Sequence, residues 1–263
     1  MPVARQQARQ PDPASRLWPS GGAHLWPSGG TSPLDSHRRG HLVYAARGVL
    51  SVRTERGTSI VPATRVAWTP AGYPHSHRAH GDTDMRIVFL PASLARLVPE
   101  RPAVFAVSDL AREVLLALTG LRDYDDAAQA RLRRVLVDEL REAPEQALHL
   151  PEPRDDRLRA VARMLDEDPA DTSALAVLGR TVGASARTLS RLFRDELGMT
   201  FYEWRTQLRV YHALVLLADG HDTTRVAAAC GWANPSGFIA AFTALVGTTP
   251  GRYRAGHRRR PSG

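Results

Sequence analysis

Arg187, Arg191 and Arg194 fall at i, i+4 and i+7 of one short stretch, "ARTLSRLFRDELG". On a helix, that spacing gathers three guanidinium groups within about 60° of one another. Leu189, Leu192 and Phe193 take the opposite side. A helix with one apolar face and a row of arginines suits the major groove of a duplex, because arginine pairs bidentately with phosphate and with guanine edges. The same pattern also fits a solvated surface helix. A second group with chemical potential lies upstream: His37, His41 and His75, with His77 and His80 close by. Imidazoles on facing strands make an open site for divalent iron, manganese, zinc or nickel. The carboxylate that such sites often add is missing, since the nearest, Glu55, lies in the turn-like run Glu55-Arg56-Gly57. The expectation is that no metal is held and that His37, His41 and His75, together with Trp68, line a small-molecule pocket, a metal at the three histidines being the alternative.

The elements that must position these residues change character along the chain. Residues 1–33 carry Leu-Trp-Pro-Ser-Gly-Gly twice, eight residues apart, and are expected to form a disordered leader, because Pro, Gly and Ser build no packed element. From 34 to 95, "HLVYAA", "GVLSVRT", "TSIV", "RVAWTP" and "MRIVFL" are short β-branched and aromatic runs separated by turn residues, the signature of a small antiparallel sandwich or barrel. Residues 96–150 shift to a helical period, with one stripe through Leu110, Val114, Leu118 and Leu121 and another through Leu132, Val135, Leu136 and Leu140. Residues 100–150 hold seven arginines against ten acidic residues, so this connector is not the surface that meets a polyanion. It reads as a packing or dimerisation element. A linker, "APEQALHLPEPRDDR", leads to an all-helical segment from 157 to 256, and a basic tail closes the chain at 257–263.

The helical segment holds the most specific pattern. In "SALAVLGRTVGASARTLSRLFRDELG", Gly179 lets two helices approach, Gly183 makes the turn, and Ser185 is a good N-cap for the arginine-bearing helix. A shift of 49 residues brings Phe193 onto Phe242, Gly198 onto Gly247, Thr200 onto Thr249, Trp204 onto Tyr253 and Arg205 onto Arg254. Two helix-turn-helix units in tandem are therefore expected. Between them "TFYEWRTQLRVYHALVLLADG" reads as one helix of roughly 19 residues, spanning about 28 Å. That length would set two recognition helices about one DNA turn, roughly 34 Å, apart. The second unit is unlike the first in charge: Arg187, Arg191 and Arg194 become Ser236, Ala240 and Thr243, and no charge of either sign occurs between Asn234 and Pro250.

Bulk properties agree with a polyanionic partner. The 263 residues carry a formal charge of +8, and every positive side chain is arginine; a basic balance of this kind favours nucleic acid first and anionic membrane second. A GC-rich coding sequence would equally explain the absence of lysine. Cys230 is the only cysteine, which rules out an intrachain disulfide or a cysteine zinc site. No apolar run reaches the ~18 residues of a membrane span, and a cytoplasmic protein is expected. A Gly-rich phosphate loop, a nucleophile elbow and a His-Glu-x-x-His helix are all absent from the sequence, so an enzyme is not expected.

The tandem units, the "EWRTQLR" helix and the closing "FIAAFTALVGTTPGRYR" resemble the AraC/XylS family of bacterial transcription regulators over about 157–254. "HRRGHLVYAARGVLSVRT" followed by "RVAWTPAGYPHSH" resembles the cupin-type sensor domain of that family. The resemblance implies an α+β chain: a cupin-like barrel, a helical connector, and an all-α domain with two helix-turn-helix units joined by a long helix. It implies an operator in double-stranded DNA, a small-molecule effector, contact with RNA polymerase if the protein activates, and a possible homodimer through the connector. Base readout then falls to Arg187, Thr188, Ser190, Arg191 and Arg194 in the first unit, and to Ser236, Ile239, Ala240 and Thr243 in the second. Asn234, Arg205, Arg209, Arg252 and Arg254, with the tail arginines 258–260, would meet phosphates. The family pattern places a basic pair after the second Phe, where this chain has Thr243 and Ala244. A divalent metal at His37, His41 and His75 remains a candidate cofactor.

Overall fold

Two long strands organise the first half of the chain. In the computed structural model, which describes residues 22–55, 57–145 and 149–258, β2 (His41–Thr54) pairs antiparallel with β5 (His75–Phe89). The register runs from His41 opposite Phe89 to Thr54 opposite His75, with shifts at Ala45/Arg47 and Arg47/Val49. Irregularities of this kind bend a strand pair. Gly48 sits at the bend with φ +80°, where a Cβ would stand 2.5 Å from Thr83 Oγ1. The irregularity also reverses the alternation of side chains. Val43 and Ala45 before it, and Leu50 and Val52 after it, share one inner cluster with Val61, Ala67, Ala79 and Met85.

Shorter strands complete a seven-stranded antiparallel sheet: β1 (Gly22–Trp26) on β5, β3 (Gly57–Pro62) and β4 (Arg65–Thr69) on β2, β6 (Ala103–Ala106) on β4, and β7 (His149–Leu150) on β3. After the short α1 (Ala92–Ala95), helices α2 (Asp109–Thr119) and α3 (Asp126–Glu142) cover the outer face, where Leu42, Tyr44, Val66, Trp68 and Val88 meet Val114, Leu115, Leu136 and Leu140.

Three expectations need correction. The leader is not disordered throughout: β1 pairs with β5, and the Gly29, Ser32 and Asp35 amides bond to the carbonyls of Ala79, His77 and His75. Main-chain bonding holds this segment while its side chains stay largely exposed, Leu25 at 72%, so composition alone reads as loop. The first repeat of Leu-Trp-Pro-Ser-Gly-Gly begins outside the described residues. The sheet is also not confined to 34–95, because β6 and β7 join it from the connector and linker. The α2 stripe is rotated: Ala111, Val114, Leu115 and Thr119 are buried, whereas Leu110 and Leu121 are exposed at 53% and 107%.

The second half is helical: α4 (Asp156–Glu167), α5 (Leu175–Thr181), α6 (Ala186–Leu197), α7 (Phe201–Ala218), α8 (Thr223–Ala229), α9 (Pro235–Val246) and α10 (Pro250–Arg258). Thr200 and Glu203 form a reciprocal capping box at the start of α7, satisfying two otherwise orphaned amides. Phe201, Trp204 and Leu208 of α7 pack with α4, α5 and α6, and Val210, Ala213, Leu214 and Leu217 pack with α8, α9 and α10. Val49 and Ile60 of the sheet join this second cluster. Cys230 is fully buried there, and burial pushes its thiol up to about 11, consistent with a core filler. Among the described residues, no helix is long and apolar enough to cross a membrane.

The halves are joined by a buried cation. Arg65 of β4, only 2% exposed, donates from one terminal nitrogen to the carbonyls of Leu245 and Val246, at 3.2 and 3.0 Å. These carbonyls end α9, the negative end of its dipole, where a cation is favoured. Burial pushes the guanidinium down to about 10, so it stays charged at neutral pH. Arg65→Ala is expected to cost about 2–3 kcal/mol, because it strands two buried carbonyls. Arg65→Lys should recover only part of that, since one ammonium lacks the planar fork. Urea unfolding at pH 7 measures both, and a loss below about 0.5 kcal/mol for the alanine variant, the range of ordinary surface substitutions, would show the cap to be structurally idle.

Candidate nucleic-acid interface and histidine cluster

The arginine-bearing helix is built by local chemistry. Ser185 caps α6 by accepting from the Thr188 amide, and Gly179 packs so tightly that a Cβ would stand 2.4 Å from the Ala184 carbonyl oxygen. Leu189, Phe193 and Leu197 are buried, which leaves the other face outward. Arg187, Arg191 and Arg194 are exposed there, and with Thr188, Ser190 and Asp195 they line one shallow depression. The structure thus brings together all five residues assigned to the first recognition surface.

The α8–α9 pair repeats this construction, with a connecting turn one residue longer than that between α5 and α6. Asn234 caps α9 by accepting from the Gly237 amide at 2.8 Å, and Pro235 takes the first helical position. Phe238, Phe242 and Val246 are buried, while Ser236, Ile239 and Ala240 are exposed. Thr243 departs from expectation: its hydroxyl oxygen is buried, so it offers no hydrogen bond outward. The outward face of α9 has one donor side chain, Ser236, and no cation.

The assigned phosphate contacts divide. Arg252 is exposed, Arg254 half-buried, and Asn234 is exposed at the α9 N-terminus. Arg205 and Arg209 are corrections. Arg205 is 7% exposed, stacks over the Phe201 ring at 4.3 Å and donates to the Ser173 carbonyl at 2.5 Å. Arg209 donates to the carbonyls of Pro169 and Asp171 at 3.1 and 2.8 Å. Both guanidinium groups fasten the α4–α5 loop to α7; Arg205 is buried there, and Arg209 is half-buried with two of its nitrogens engaged. Of the tail, residues 259–263 lie outside the described residues.

The histidines start from opposite ends of the β2–β5 ladder and meet inside the curled sheet. Ring centroids of His37 and His41 lie 5.1 Å apart, those of His37 and His75 4.9 Å, and those of His41 and His75 4.8 Å. One ring nitrogen from each falls within 4.8 Å of the other two. His75 Nδ1 donates to the Tyr73 carbonyl at 2.8 Å, and His37 Nδ1 is 3.7 Å from an Asp35 carboxylate oxygen. Such outer partners fix the tautomer that turns Nε2 toward a metal. His41 is 1% exposed with neither ring nitrogen bonded, and a coordinated ion would satisfy one of these two buried polar atoms. Burial, then the neighbouring His75, His77 and His37, holds His41 well below the ordinary imidazole range, and burial with the same neighbours pushes His77 down to about 3. Both are neutral, as ligands must be.

Trp68 does not belong to this cluster. It pairs with Leu42, one residue along from the His41–Thr69 pair, so it points to the opposite face, and its indole donates to the Pro99 carbonyl in the outer core. His77 does belong, with its ring 5.1 Å from that of His75. The signal for it was the His75-x-His77 spacing, which puts both on one face of a strand.

Comparison with known proteins follows the same geometry. A family described as a helix-turn-helix domain matches residues 178–256, the segment from the end of α5 into α10. Over 228 residues the chain is 33% identical to the HTH-type transcriptional regulator NimR of Escherichia coli (strain K12), covering 86% of this chain and 83% of that protein. The arabinose operon regulatory protein of the same organism is 30% identical over 155 residues, covering 57% of this chain and 51% of that protein. The structure of ToxT from Vibrio cholerae aligns over 90% of this chain and 98% of that one at 11% identity, with a TM-score of 0.40. An arginine-faced helix on a tight turn, in a chain that shares most of its length with such a regulator, is part of a DNA-binding transcription regulator: the chain belongs to the AraC/XylS family.

Proposed function

We propose that this regulator reads its operator with two unequal helix-turn-helix units. The observation that carries this reading is the contrast between α6, with three exposed arginines, and α9, with none on its outward face. Arg187, Arg191 and Arg194, with Thr188 and Ser190, enter one major groove, where arginine pairs with guanine O6 and N7. Ser236, Ile239 and Ala240 of α9 touch thymine methyls in the next groove, while its helix start at Asn234 meets a phosphate. Arg252 and Arg254 add phosphate contacts that carry affinity but no sequence information.

The sheet domain is read as a cupin-like sensor that holds a divalent metal at His37, His41 and His75. Three imidazoles favour zinc or a neighbouring transition metal. The three ring nitrogens lie within 4.8 Å of one another, so small movements of the rings would let them hold one ion. A bound metal would supply a Lewis-acidic site for an effector oxygen. The exposed Leu110 of α2, Val135 of α3 and Leu121 of the loop between them support a homodimer through the connector. A regulator of this kind works in the cytoplasm, and it meets RNA polymerase where it activates.

Selection of bound DNA from a random pool tests the reading of the operator. The expected motif has strong guanine positions in one half-turn and weaker, A/T-leaning preference in the other. Arg191→Ala should cost about 1–3 kcal/mol and relax one base position. Equal weakening on scrambled DNA would make Arg191 a phosphate clamp, and guanine information of equal strength in both half-turns would overturn the unequal assignment.

Metal analysis tests the sensor. One equivalent of zinc per chain should raise the melting temperature at pH 7.5, and His41→Ala should abolish the rise. Acid acts in the opposite sense. Below about pH 6.5 the unfolded histidines take up protons that buried His41 and His77 refuse, so stability falls as pH drops, by up to about 1.4 kcal/mol per histidine per pH unit. A melting temperature that stays flat between pH 7 and 5 would count against the burial of neutral imidazoles.

A further inference from the structure

The two helix pairs are in contact through more than α7. Gly231 lies in the turn between α8 and α9 with φ +70°, and a Cβ there would stand 2.8 Å from the carbonyl oxygen of Ala170, 2.9 Å from its Cα and 2.7 Å from Arg209 Nη2. Ala170 belongs to the loop between α4 and α5. The turn that leads into the second outward helix is therefore pressed against the loop that enters the first helix pair. An approach this close between two stretches of main chain needs glycine.

The internal repeat supplies a comparison. Gly183, 48 positions earlier, lies in the turn between α5 and α6 with φ +68°, and a Cβ there would meet nothing within 4 Å. The two turns share a backbone conformation and differ in their surroundings. Turn geometry accounts for glycine at both positions; only at 231 does a neighbouring element also require it.

Ala170 is in turn clamped from both sides. Arg209 of α7 donates from Nε to the Pro169 carbonyl at 3.1 Å and from Nη2 to the Asp171 carbonyl at 2.8 Å, the two carbonyls that flank Ala170. The Ala170 amide donates to Asp168 Oδ1 at 3.0 Å, and Arg205, one turn earlier on α7, holds the Ser173 carbonyl. The guanidinium that fixes the loop is also part of the wall against which Gly231 rests. Arg209 thus stands where α7, the first helix pair and the second meet.

We propose that Arg209 and Gly231 determine which operator spacing this protein accepts, by setting the tilt of α8–α9 against α5–α6. A helix shared by two cores fixes their separation; a second contact, outside that helix, resists rocking of one pair against the other. One added base pair moves a half-turn by about 3.4 Å and rotates it by about 35°, so a small change of tilt changes the spacing that fits. The consequence for DNA rests on the reading of two units in successive grooves; the mechanical role does not.

Two measurements on the full chain test this. Spin labels at Asp195→Cys on α6 and Ala244→Cys on α9, both exposed, report the distance between the units without DNA, and the fully buried Cys230 stays unlabelled. Gly231→Ala and Arg209→Gln should shift or broaden that distance. Gly183→Ala, which carries the same backbone strain in open space, should leave it unchanged. The second measurement uses the strongest sequence from the random-pool selection, with one base pair added or removed between its half-turns. The unaltered protein and Gly183→Ala should bind the altered spacings at least about tenfold more weakly, and the two seam variants should reduce that ratio to about threefold or less. A loss of folded protein weakens binding on every spacing alike and leaves the ratio untouched. An unchanged distance in both seam variants, an equal change in Gly183→Ala, or a full spacing preference in both seam variants overturns the proposal. An unaltered protein that ignores spacing overturns the two-groove reading, and the distances then decide the mechanical role alone.

Discussion

The burial of α7 along its whole length is the constraint on which the rest of the molecule depends. Its first half completes the core of α4, α5 and α6, and its second half completes that of α8, α9 and α10. A helix of this length that serves two cores cannot rotate for one without disturbing the other. The two helix pairs are therefore held at a fixed separation and phase, set by the rise of about 1.5 Å per residue. Arg205 and Arg209 reinforce this by tying α7 to the α4–α5 loop through carbonyl oxygens. The sheet meets the same helix, with Val49 and Ile60 in its core and His80 bonded to Tyr211.

Charge is distributed over this rigid frame very unevenly. Three outward-facing cations share one face of α6, and α9 turns a nearly apolar surface to the same solvent. The charges that are buried serve the structure: Arg65 closes the end of α9, and Arg205 stacks on Phe201. The histidine cluster is the reverse case: His41 and His77 are kept neutral by burial and by the rings around them. Such packing of basic groups is costly unless something satisfies their nitrogens.

Features governed by nearby residues were legible in the sequence. Ser185, Thr200 and Asn234 cap helices because a capping bond reaches only two or three positions along the chain. The 49-residue internal repeat marks out the two helix pairs α5–α6 and α8–α9. The histidines could be picked out by type. Features set by distant partners were not legible. Arg205 and Arg209 carry the same charge as Arg252, and what separates them is a set of carbonyls more than thirty residues upstream. Trp68 lies in a strand next to that of His41, but only the pairing register reveals that the two face opposite ways. The β1 strand was hidden for a different reason: its bonds come from the main chain, which composition does not report.

The contact between Arg65 and the last carbonyls of α9 bears on modularity. Regulators of this architecture invite exchange of sensor halves to rewire their inputs. In this molecule the C-terminal half cut at the linker would keep its DNA-facing residues but would lose a buried guanidinium from one helix end. It would also expose the side of α7 that Val49 and Ile60 cover. A transplanted sensor would have to bring an arginine on its own equivalent of β4 and an apolar pair at the same place. The seam between input and output is thus part of the folded core, and a working graft has to be cut around it.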